Sequence, residues 1–206
     1  MSDLRNSRPI AAADFSAADP WSSGNSPSTQ VLADVLADAA AGRRLQLLDL
    51  GCGNGQFARY LFDYGLTCDY TGVDISEPLL EAGRKAFARN DHVHFIHDDI
   101  EVLDNVTGSF DFVIYSHTIE MLASPERSLH AARKFADRIL IRFFEPPIYE
   151  TTTVELREMH LNKGAAPHVH WKMGKSFYRL MLAELDAKRV DIYRTPTRDQ
   201  VHLLRL

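Results

Sequence analysis

The stretch that decides the fold is LLDLGCGNGQF at residues 47–57. An apolar run ends there at three glycines spaced two residues apart, Gly51, Gly53 and Gly55, and a helical pattern follows at once. Glycine lets the backbone turn sharply and lets a ligand lie against the main chain without meeting a Cβ atom. The spacing G-x-G-x-G differs from the G-x-G-x-x-G of dinucleotide-binding folds and from the G-x-x-x-x-G-K-[ST] of phosphate-binding loops. The stretch therefore predicts a strand, a tight ligand-binding turn and a helix.

A second predicted strand ends on an acidic residue. Residues 70–75 read YTGVDI, and Asp74 stands where the second strand of a doubly wound sheet would end. A carboxylate at this point is placed to accept hydrogen bonds from ribose hydroxyls. The glycine turn and this acid together indicate a cofactor that contains a nucleoside and needs no phosphate cradle.

These two segments resemble the first two motifs of the class I S-adenosylmethionine-dependent methyltransferases. Two further segments agree with that family in order and spacing. Residues 97–100, HDDI, are similar to the stretch beside the adenine, and residues 110–116, FDFVIYS, are similar to the fourth strand. The resemblance covers residues 30–206 and implies that S-adenosylmethionine is the cofactor.

The methionyl end of that cofactor is expected at the glycine turn. Gly51, Cys52 and Gly53 would contact it mainly through the backbone. Asp49 would orient the turn or bind the amino group, and Ser116 would face the amino-acid end from the fourth strand.

The nucleoside end is expected at the second and third strands. Asp74 would bind the ribose, and Ile75 would pack on the adenine. Asp99 would reach the adenine amino group, and Ile100 would give a backbone donor to the ring. Each acid also has a structural alternative: Asp74 as a helix N-cap and Asp99 as a turn residue.

Alternating strand and helix patterns predict an α/β fold, with a doubly wound, mostly parallel seven-stranded sheet and helices on both faces. Residues 1–206 are expected to form a single domain. Residues 1–25 are predicted to be either a lid over the cofactor or a flexible segment. Residues 145–174 interrupt the alternation and are predicted to form a long loop that faces the substrate.

Composition limits the classes of partner and the environment. The net charge is −5, and the lysines and arginines are dispersed, which argues against a nucleic-acid substrate. No apolar run approaches membrane-spanning length, and the N-terminus lacks the apolar centre of a secretory signal. Two cysteines do not indicate a disulfide framework, so a cytoplasmic location is expected. The oligomeric state stays open, a homodimer included.

Histidines are the candidate catalytic residues, because an unperturbed imidazole titrates near neutral pH. His117 follows Ser116 directly and should face the sulfonium end of the cofactor. His168 and His170 alternate in an extended segment that is expected to cross the pocket mouth, and His170 is the second candidate base. Two alternatives remain. For His117, the alternative is a loop histidine that is bonded to the backbone. For His170, the family resemblance implies a structural role. If neither histidine is a base, methyl transfer needs only proximity.

A metal site is not predicted. Glu120, His160, His168 and His170 are residue types that bind divalent ions in some methyltransferases. The acid–histidine pair that follows the fourth strand in those families is Glu120-Met121 here, so one expected ligand is missing.

The sequence thus favours a methyltransferase that acts on an oxygen or nitrogen of a small-molecule acceptor, in a biosynthetic pathway. Aromatic residues and acids in residues 145–174 suit such an acceptor. Two alternatives belong to other classes. One is a non-methylating protein that binds another enzyme, since residues 116–125 loosely resemble a bacterial partner of homoserine acetylation. The other is an RNA or protein methyltransferase, which would need a basic groove beside the pocket.

Overall fold

The computed structural model describes residues 26–161 and 164–206, without the side chains of residues 159–166. The lid or flexible segment predicted at residues 1–25 lies outside the described residues. The strands are β1 (Leu45–Leu50), β2 (Cys68–Asp74), β3 (Val93–His97), β4 (Phe112–Ser116), β5 (Arg138–Phe143), β6 (Thr153–Leu161), β7 (Gly164–Lys172), β8 (Arg189–Arg194) and β9 (Gln200–Arg205). The helices are α1 (Pro27–Ala40), α2 (Gln56–Asp63), α3 (Glu77–Ala86), α4 (Pro125–Ala132) and α5 (Lys175–Glu184), and a 3-10 turn (Ile119–Met121) follows β4.

Within the described residues, seven strands form one sheet in the order β3-β2-β1-β4-β5-β9-β8. The first five of these are parallel, whereas β9 runs antiparallel to both β5 and β8. The strand order reverses between β1 and β4, and doubly wound sheets bind ligands at such a point, beyond the carboxyl ends of the strands. The predicted fold class, a doubly wound and mostly parallel seven-stranded sheet, is confirmed.

Two hydrophobic layers cover the two faces of the sheet. On one face, Leu47, Ile114 and Leu140 pack with residues of α1 and α2. On the other face, Val113 and Ile141 pack with residues of α4 and α5. Side chains that alternate along each strand therefore reach opposite layers, and helices cover both faces as predicted.

Local sequence signals set the starts of the helices. Ser26 caps α1 because its Oγ accepts a hydrogen bond from the Thr29 amide at 3.2 Å, and Pro27 occupies the first helical position. Ser76 caps α3 in the same way through the Leu79 amide. These caps fix α1 and α3 beside the carboxyl edge of the sheet.

The prediction that residues 145–174 form a long loop is wrong in part, because β6 and β7 form an antiparallel hairpin within this segment. The pairing runs from Thr153 opposite Lys172 to Leu161 opposite Gly164. Residues 154–157 of β6 read VELR, in which apolar and charged residues alternate as in a strand, but Pro167 in the middle of β7 argues against a strand. The hairpin forms a separate two-stranded sheet, so both of its strands are edge strands. An edge strand tolerates a proline more readily than a central strand does.

Two further properties bear on the environment of the protein. Within residues 26–161 and 164–206, every helix is too short or too polar to traverse a lipid bilayer. Cys52 and Cys68 are both buried free thiols, so neither takes part in a disulfide bond.

Strand β9 carries a buried histidine, His202. His202 is 2% exposed, and its ring packs edge-on against Phe143 with 5.0 Å between ring centroids. The Tyr178 hydroxyl donates to His202 Nδ1 at 2.8 Å, and His202 Nε2 lies 3.1 Å from Gln200 Oε1, an arrangement that suits the neutral ring with its proton on Nε2. Burial lowers the pKa of His202 from 6.5 to about 4.

We expect His202 to make the protein less stable as the pH falls from 6.5 towards 4. In that range the unfolded chain binds a proton on His202 that the folded chain does not bind. The free energy of unfolding therefore falls by up to about 3 kcal/mol. His202→Asn keeps an acceptor for Tyr178 but does not titrate. Urea unfolding of both proteins across this range should show their stabilities converging at low pH. Parallel stability curves would contradict the assignment.

Candidate functional site

The glycine turn after β1 is a left-handed elbow. Gly51, Gly53 and Gly55 have φ angles of +79°, +56° and +78°, a region that glycine adopts without strain. The Gly51 and Cys52 amides both donate to the Val73 carbonyl, at 2.8 and 3.1 Å, so the elbow is tied to the end of β2. The elbow turns the chain back so that α2 begins at the carboxyl edge of the sheet.

The glycines of the elbow differ in what surrounds them. A Cβ at Gly51 would lie 2.7 Å from Thr118 Oγ1, and one at Gly55 would lie 2.6 Å from the Phe95 ring. A Cβ at Gly53 would meet no described atom closer than Leu79 Cδ1 at 4.0 Å. Gly51 and Gly55 therefore allow close packing, whereas Gly53 borders open space in which a ligand can approach the backbone.

Asp74 connects the elbow to β2. One carboxylate oxygen, Oδ2, accepts from the Gly53 amide at 2.8 Å, and the other, Oδ1, accepts from the Ser76 amide at 2.9 Å. Burial raises the pKa of Asp74 above its ordinary value, and the hydrogen bonds from these amides oppose that rise. Each carboxylate oxygen can accept a second hydrogen bond, so ribose hydroxyls can still bind there.

Asp49 lies beneath the elbow, near the end of β1. It is 2% exposed, and its Oδ2 accepts a hydrogen bond from the Tyr70 hydroxyl. Its Oδ1 is buried and has no hydrogen-bond partner in the described part of the chain. Burial raises the pKa of Asp49 to about 7, and the bond from Tyr70 opposes the rise. An unpaired buried carboxylate oxygen is costly, so it marks a place where a ligand donor fits.

The predicted adenine side lies at the ends of β2 and β3. Ile75 is 47% exposed, and its carbonyl oxygen lies 2.9 Å from His97 Nε2. The exposed Asp99 accepts from the Glu101 amide at 2.9 Å and so shapes the following turn. Ile100 is buried, and its carbonyl accepts from Ser128 Oγ. The structure places these residues at one edge, with Ile75 as an exposed apolar surface.

Ser116 lies across β1 from Ile75, at the end of β4, whereas Cys52 packs towards β2. The Cys52 thiol is buried against Gly72, and burial raises its pKa well above the ordinary range, so it is a packing group rather than a nucleophile. Ser116 ends β4 and is half-buried. Its carbonyl accepts from Thr118 Oγ1, and the backbone then turns at His117, whose φ is +60°.

His117 has a partner at each ring nitrogen. Nε2 lies 3.0 Å from Asp199 Oδ2, and Nδ1 lies 3.5 Å from Nη2 of Arg142. The ring also packs edge-on against Phe144. Burial lowers the pKa of His117 below 6.5, and the bond to Asp199 opposes the change. The neutral ring is therefore favoured, and it can serve as a base only when the contact with Arg142 opens.

Sequence reasoning missed the residues that hold His117. Asp199 lies 82 residues away, in the turn between β8 and β9, and also accepts from Ser28 Oγ at 2.6 Å. Arg142 donates to the Ser26 and Thr29 hydroxyls at the start of α1. One signal was available for Arg142, since it is a charged residue inside the apolar strand β5. Asp199 gave no local signal.

Glu120 in the 3-10 turn supports the far side of the site. It is 1% exposed, and its carboxylate accepts from the Phe144 and Glu145 amides at 3.1 and 2.6 Å. Burial raises the pKa of Glu120 to about 7. Both oxygens thus bind the backbone after β5, which gives Glu120 a structural task.

His170 projects from β7 into a buried position. It is 5% exposed, its Nε2 is 3.8 Å from Glu145 Oε2, and this nitrogen has no hydrogen-bond partner among the described residues. Burial lowers the pKa of His170 to about 4. Glu145 in turn pairs with Arg157 at 3.3 Å and accepts from the Tyr149 hydroxyl at 3.4 Å. His117 contacts Phe144 and His170 approaches Glu145, so both histidines border the segment after β5.

The residues that were weighed as metal ligands do not form a metal site in the described part of the chain, where no group of three or more His, Cys, Asp or Glu side chains is arranged to hold an ion. The side chain of His160 lies outside the described residues. Glu120 uses both carboxylate oxygens on backbone amides instead.

Comparison with known proteins agrees with this geometry. Residues 48–137 match the family described as "Methyltransferase domain". Together with the fold and the elbow, this match confirms the resemblance to class I S-adenosylmethionine-dependent methyltransferases that the motifs predict.

Individual relatives match only part of their own length. The malonyl-[acyl-carrier protein] O-methyltransferase of Pseudescherichia vulneris is 32% identical over 130 residues, which cover 62% of this chain and 50% of that protein. The chain thus spans half the length of that relative, and only 5% of a non-reducing polyketide synthase from Aspergillus terreus that also matches.

Two solved structures share the fold over most of their length. The CcbJ methyltransferase from Streptomyces caelestis has a TM-score of 0.70 at 19% identity, with 95% of this chain and 96% of that chain covered. The 1,6-didemethyltoxoflavin-N1-methyltransferase from Burkholderia thailandensis, with S-adenosylhomocysteine bound, has a TM-score of 0.65 at 21% identity, covering 91% and 80%.

We expect Gly51→Ala to destabilise the protein more than Gly42→Ala does. Gly42 has a φ of +84° with open space around it, so alanine there costs only the left-handed backbone, about 1–2 kcal/mol. At Gly51 the new Cβ also overlaps the Thr118 side chain, which adds about 1–3 kcal/mol. Urea unfolding of the two variants measures the difference, and equal losses would show that the elbow is not closely packed against Thr118.

Proposed function

We propose that the protein transfers the methyl group of S-adenosylmethionine to an oxygen or nitrogen atom of a small organic acceptor. The observation that carries this proposal is the bond between the Gly53 amide and the Asp74 carboxylate, beside the open space at Gly53. It brings together, at the switch point of the sheet, a backbone without side chains and an acid at the position where ribose hydroxyls bind in doubly wound folds. When bound, the cofactor supplies an electrophilic methyl group on a sulfonium sulfur.

The described residues fit the two ends of this cofactor. Asp74 would bind the ribose, with the exposed Ile75 against the adenine and Asp99 and Ile100 at its far edge. The methionyl end would lie along the backbone of Gly51, Cys52 and Gly53 towards Ser116, and the unpaired Asp49 Oδ1 would accept from its amino group.

The acceptor would lie over the ends of β4 and β5, beneath the β6–β7 hairpin. Phe144 and Tyr149 offer aromatic surface there, and His117, Glu145 and His170 offer polar atoms. Apolar walls with a few fixed polar groups are typical of pockets for small organic ligands. The names of two relatives, an O-methyltransferase and an N1-methyltransferase, support oxygen or nitrogen as the receiving atom.

The catalytic task of the chain is mainly positioning. Methyl transfer is an in-line displacement, so holding the acceptor atom behind the methyl group supplies much of the rate. His117 and His170 both favour the neutral ring, which is the form that can accept a proton from a hydroxyl or ammonium group. We assign His117 to this role first, because it directly follows Ser116 at the methionyl end.

Calorimetric titration with S-adenosylmethionine and S-adenosylhomocysteine tests the proposal, followed by a screen of small acceptors with radiolabelled cofactor. Saturable binding of both compounds and label transfer to a small molecule are expected. Cofactor binding with label found only in protein or RNA would overturn the choice of acceptor. Cofactor binding without any transfer, in a chain that co-purifies with another enzyme, would favour a non-methylating partner protein.

Asp74→Ala should weaken the binding of S-adenosylhomocysteine by about 1–3 kcal/mol, or about 5- to 150-fold in Kd, because charge-assisted hydrogen bonds are lost. Asp69→Ala is the matched control, since Asp69 lies near the amino end of the same strand and pairs with Arg44 and His92 at the surface. Calorimetry on both variants gives the comparison. An unchanged Kd for Asp74→Ala would show that the ribose binds elsewhere.

His117→Ala and His170→Ala should each lower turnover more than they lower cofactor affinity, since both residues lie on the acceptor side. His130→Ala, at an exposed position on α4, is the control. Single-turnover rates with the best acceptor, set beside the Kd for S-adenosylhomocysteine, separate the two effects. Full rates in both variants would mean that proximity alone drives the transfer.

A further inference from the structure

Arg142 lies in a row of residues that crosses the sheet at the level of the elbow. Leu50 of β1 is opposite Tyr115 of β4, and Ser116 of β4 is opposite Arg142 of β5. Gly51, which follows Leu50, therefore continues the same row as Ser116 and Arg142. Only β4 separates the Arg142 backbone from the elbow, and adjacent strands are about 4.8 Å apart.

Arg142 also shares a face of the sheet with the methionyl side of the site. Leu140, two residues earlier, packs in the layer beneath α1, as do Leu47 and Ile114. Because side chains two residues apart in a strand point the same way, Arg142 and Asp49 both project towards that layer. Their charges interact as well, since the Arg142 cation lowers the pKa of Asp49 against the larger effect of burial.

The contacts of the guanidinium leave its Nε without a partner among the described residues. Its Nη1 donates to the Ser26 and Thr29 hydroxyls, and its Nη2 faces His117. Its Nε is buried and has no hydrogen-bond partner within residues 26–161 and 164–206. An arginine that only linked α1 to β5 would not need an unpaired Nε donor. A buried donor without a partner costs about 1–3 kcal/mol.

The unused atoms at this end of the site are complementary. Asp49 offers a free acceptor at Oδ1, and Arg142 offers a free donor at Nε. The amino-acid end of S-adenosylmethionine carries an ammonium and a carboxylate on one carbon, so a single group can satisfy both. Charge-assisted hydrogen bonds of this kind are about twice as strong as neutral ones.

We infer that Arg142 binds the α-carboxylate of the cofactor through Nε, while Asp49 accepts from the α-ammonium. The inference rests on the proposed function, because it concerns the same cofactor. It makes Arg142 a binding residue that discriminates the intact amino-acid end from truncated nucleosides. The hydroxyls of Ser26 and Thr29 hold the guanidinium in place for that task.

Two ligands that differ by the carboxylate test the inference. S-adenosylhomocysteine carries it, whereas S-adenosyl-3-thiopropylamine has the same nucleoside, thioether and amine without it. Calorimetry on the wild-type protein should show the amine binding about 10- to 100-fold more weakly, the range expected for a hydrogen bond to a charged group. Arg142→Gln should weaken S-adenosylhomocysteine by a similar factor and leave the affinity for the amine unchanged.

Further variants guard against a purely structural effect. Arg138→Gln, at the amino end of the same strand, should leave both affinities unchanged. Arg142→Lys keeps a charge without the Nε donor and should fall between the wild type and Arg142→Gln for S-adenosylhomocysteine alone. The comparison of the two ligands on the wild type needs no variant to fold.

The outcomes are distinct. If Arg142→Gln loses the same factor for both ligands, Arg142 only supports the fold and the inference is overturned. If the wild type binds both ligands equally, the carboxylate has no partner, and the inference fails while the proposed function stands. If the wild type binds neither ligand, the proposed function fails and takes the inference with it.

Discussion

The bond between the Asp74 carboxylate and the Gly53 amide is the contact on which the rest of the site depends. A run of left-handed glycines has no side chains of its own to fix it, so its shape must come from neighbouring groups. Asp74 and the Val73 carbonyl supply that constraint from β2, the strand that pairs with β1. The direction of α2 and the open space at Gly53 both follow from it.

Burial drives the ionisable groups around this elbow towards their neutral forms. The pKa values of Asp49 and Glu120 rise to about 7, and that of His170 falls to about 4. Asp49 and Glu120 are therefore only partly ionised near neutral pH, and His170 is neutral. Arg142 is different, because a guanidinium keeps its charge even when burial lowers its pKa.

Much of the fold and the position of the glycine elbow could be predicted from the sequence, because both depend on local patterns. Apolar runs give the strands, and the glycine spacing with Asp74 gives the elbow. The surroundings of His117 could not be predicted, since Asp199 reaches it through the antiparallel pairing of β8 and β9. Arg142 and Asp49 share a face of the sheet because of the strand register across β4. The hairpin could not be predicted because Pro167 argues against a strand at β7. None of these relations has a signature in consecutive residues.

The β6–β7 hairpin has a consequence for how such proteins diversify. It enters the chain between β5 and α5, after every strand that supplies the proposed cofactor contacts. Its Cα partners Val154 and Trp171, with Leu156 and Val169, make one side apolar, whereas Glu155 and Arg157 lie on the other side with His168 and His170. Under the proposed placement of the acceptor, mutations in this ribbon can change which compound is modified without altering the strands that are proposed to bind the methyl donor.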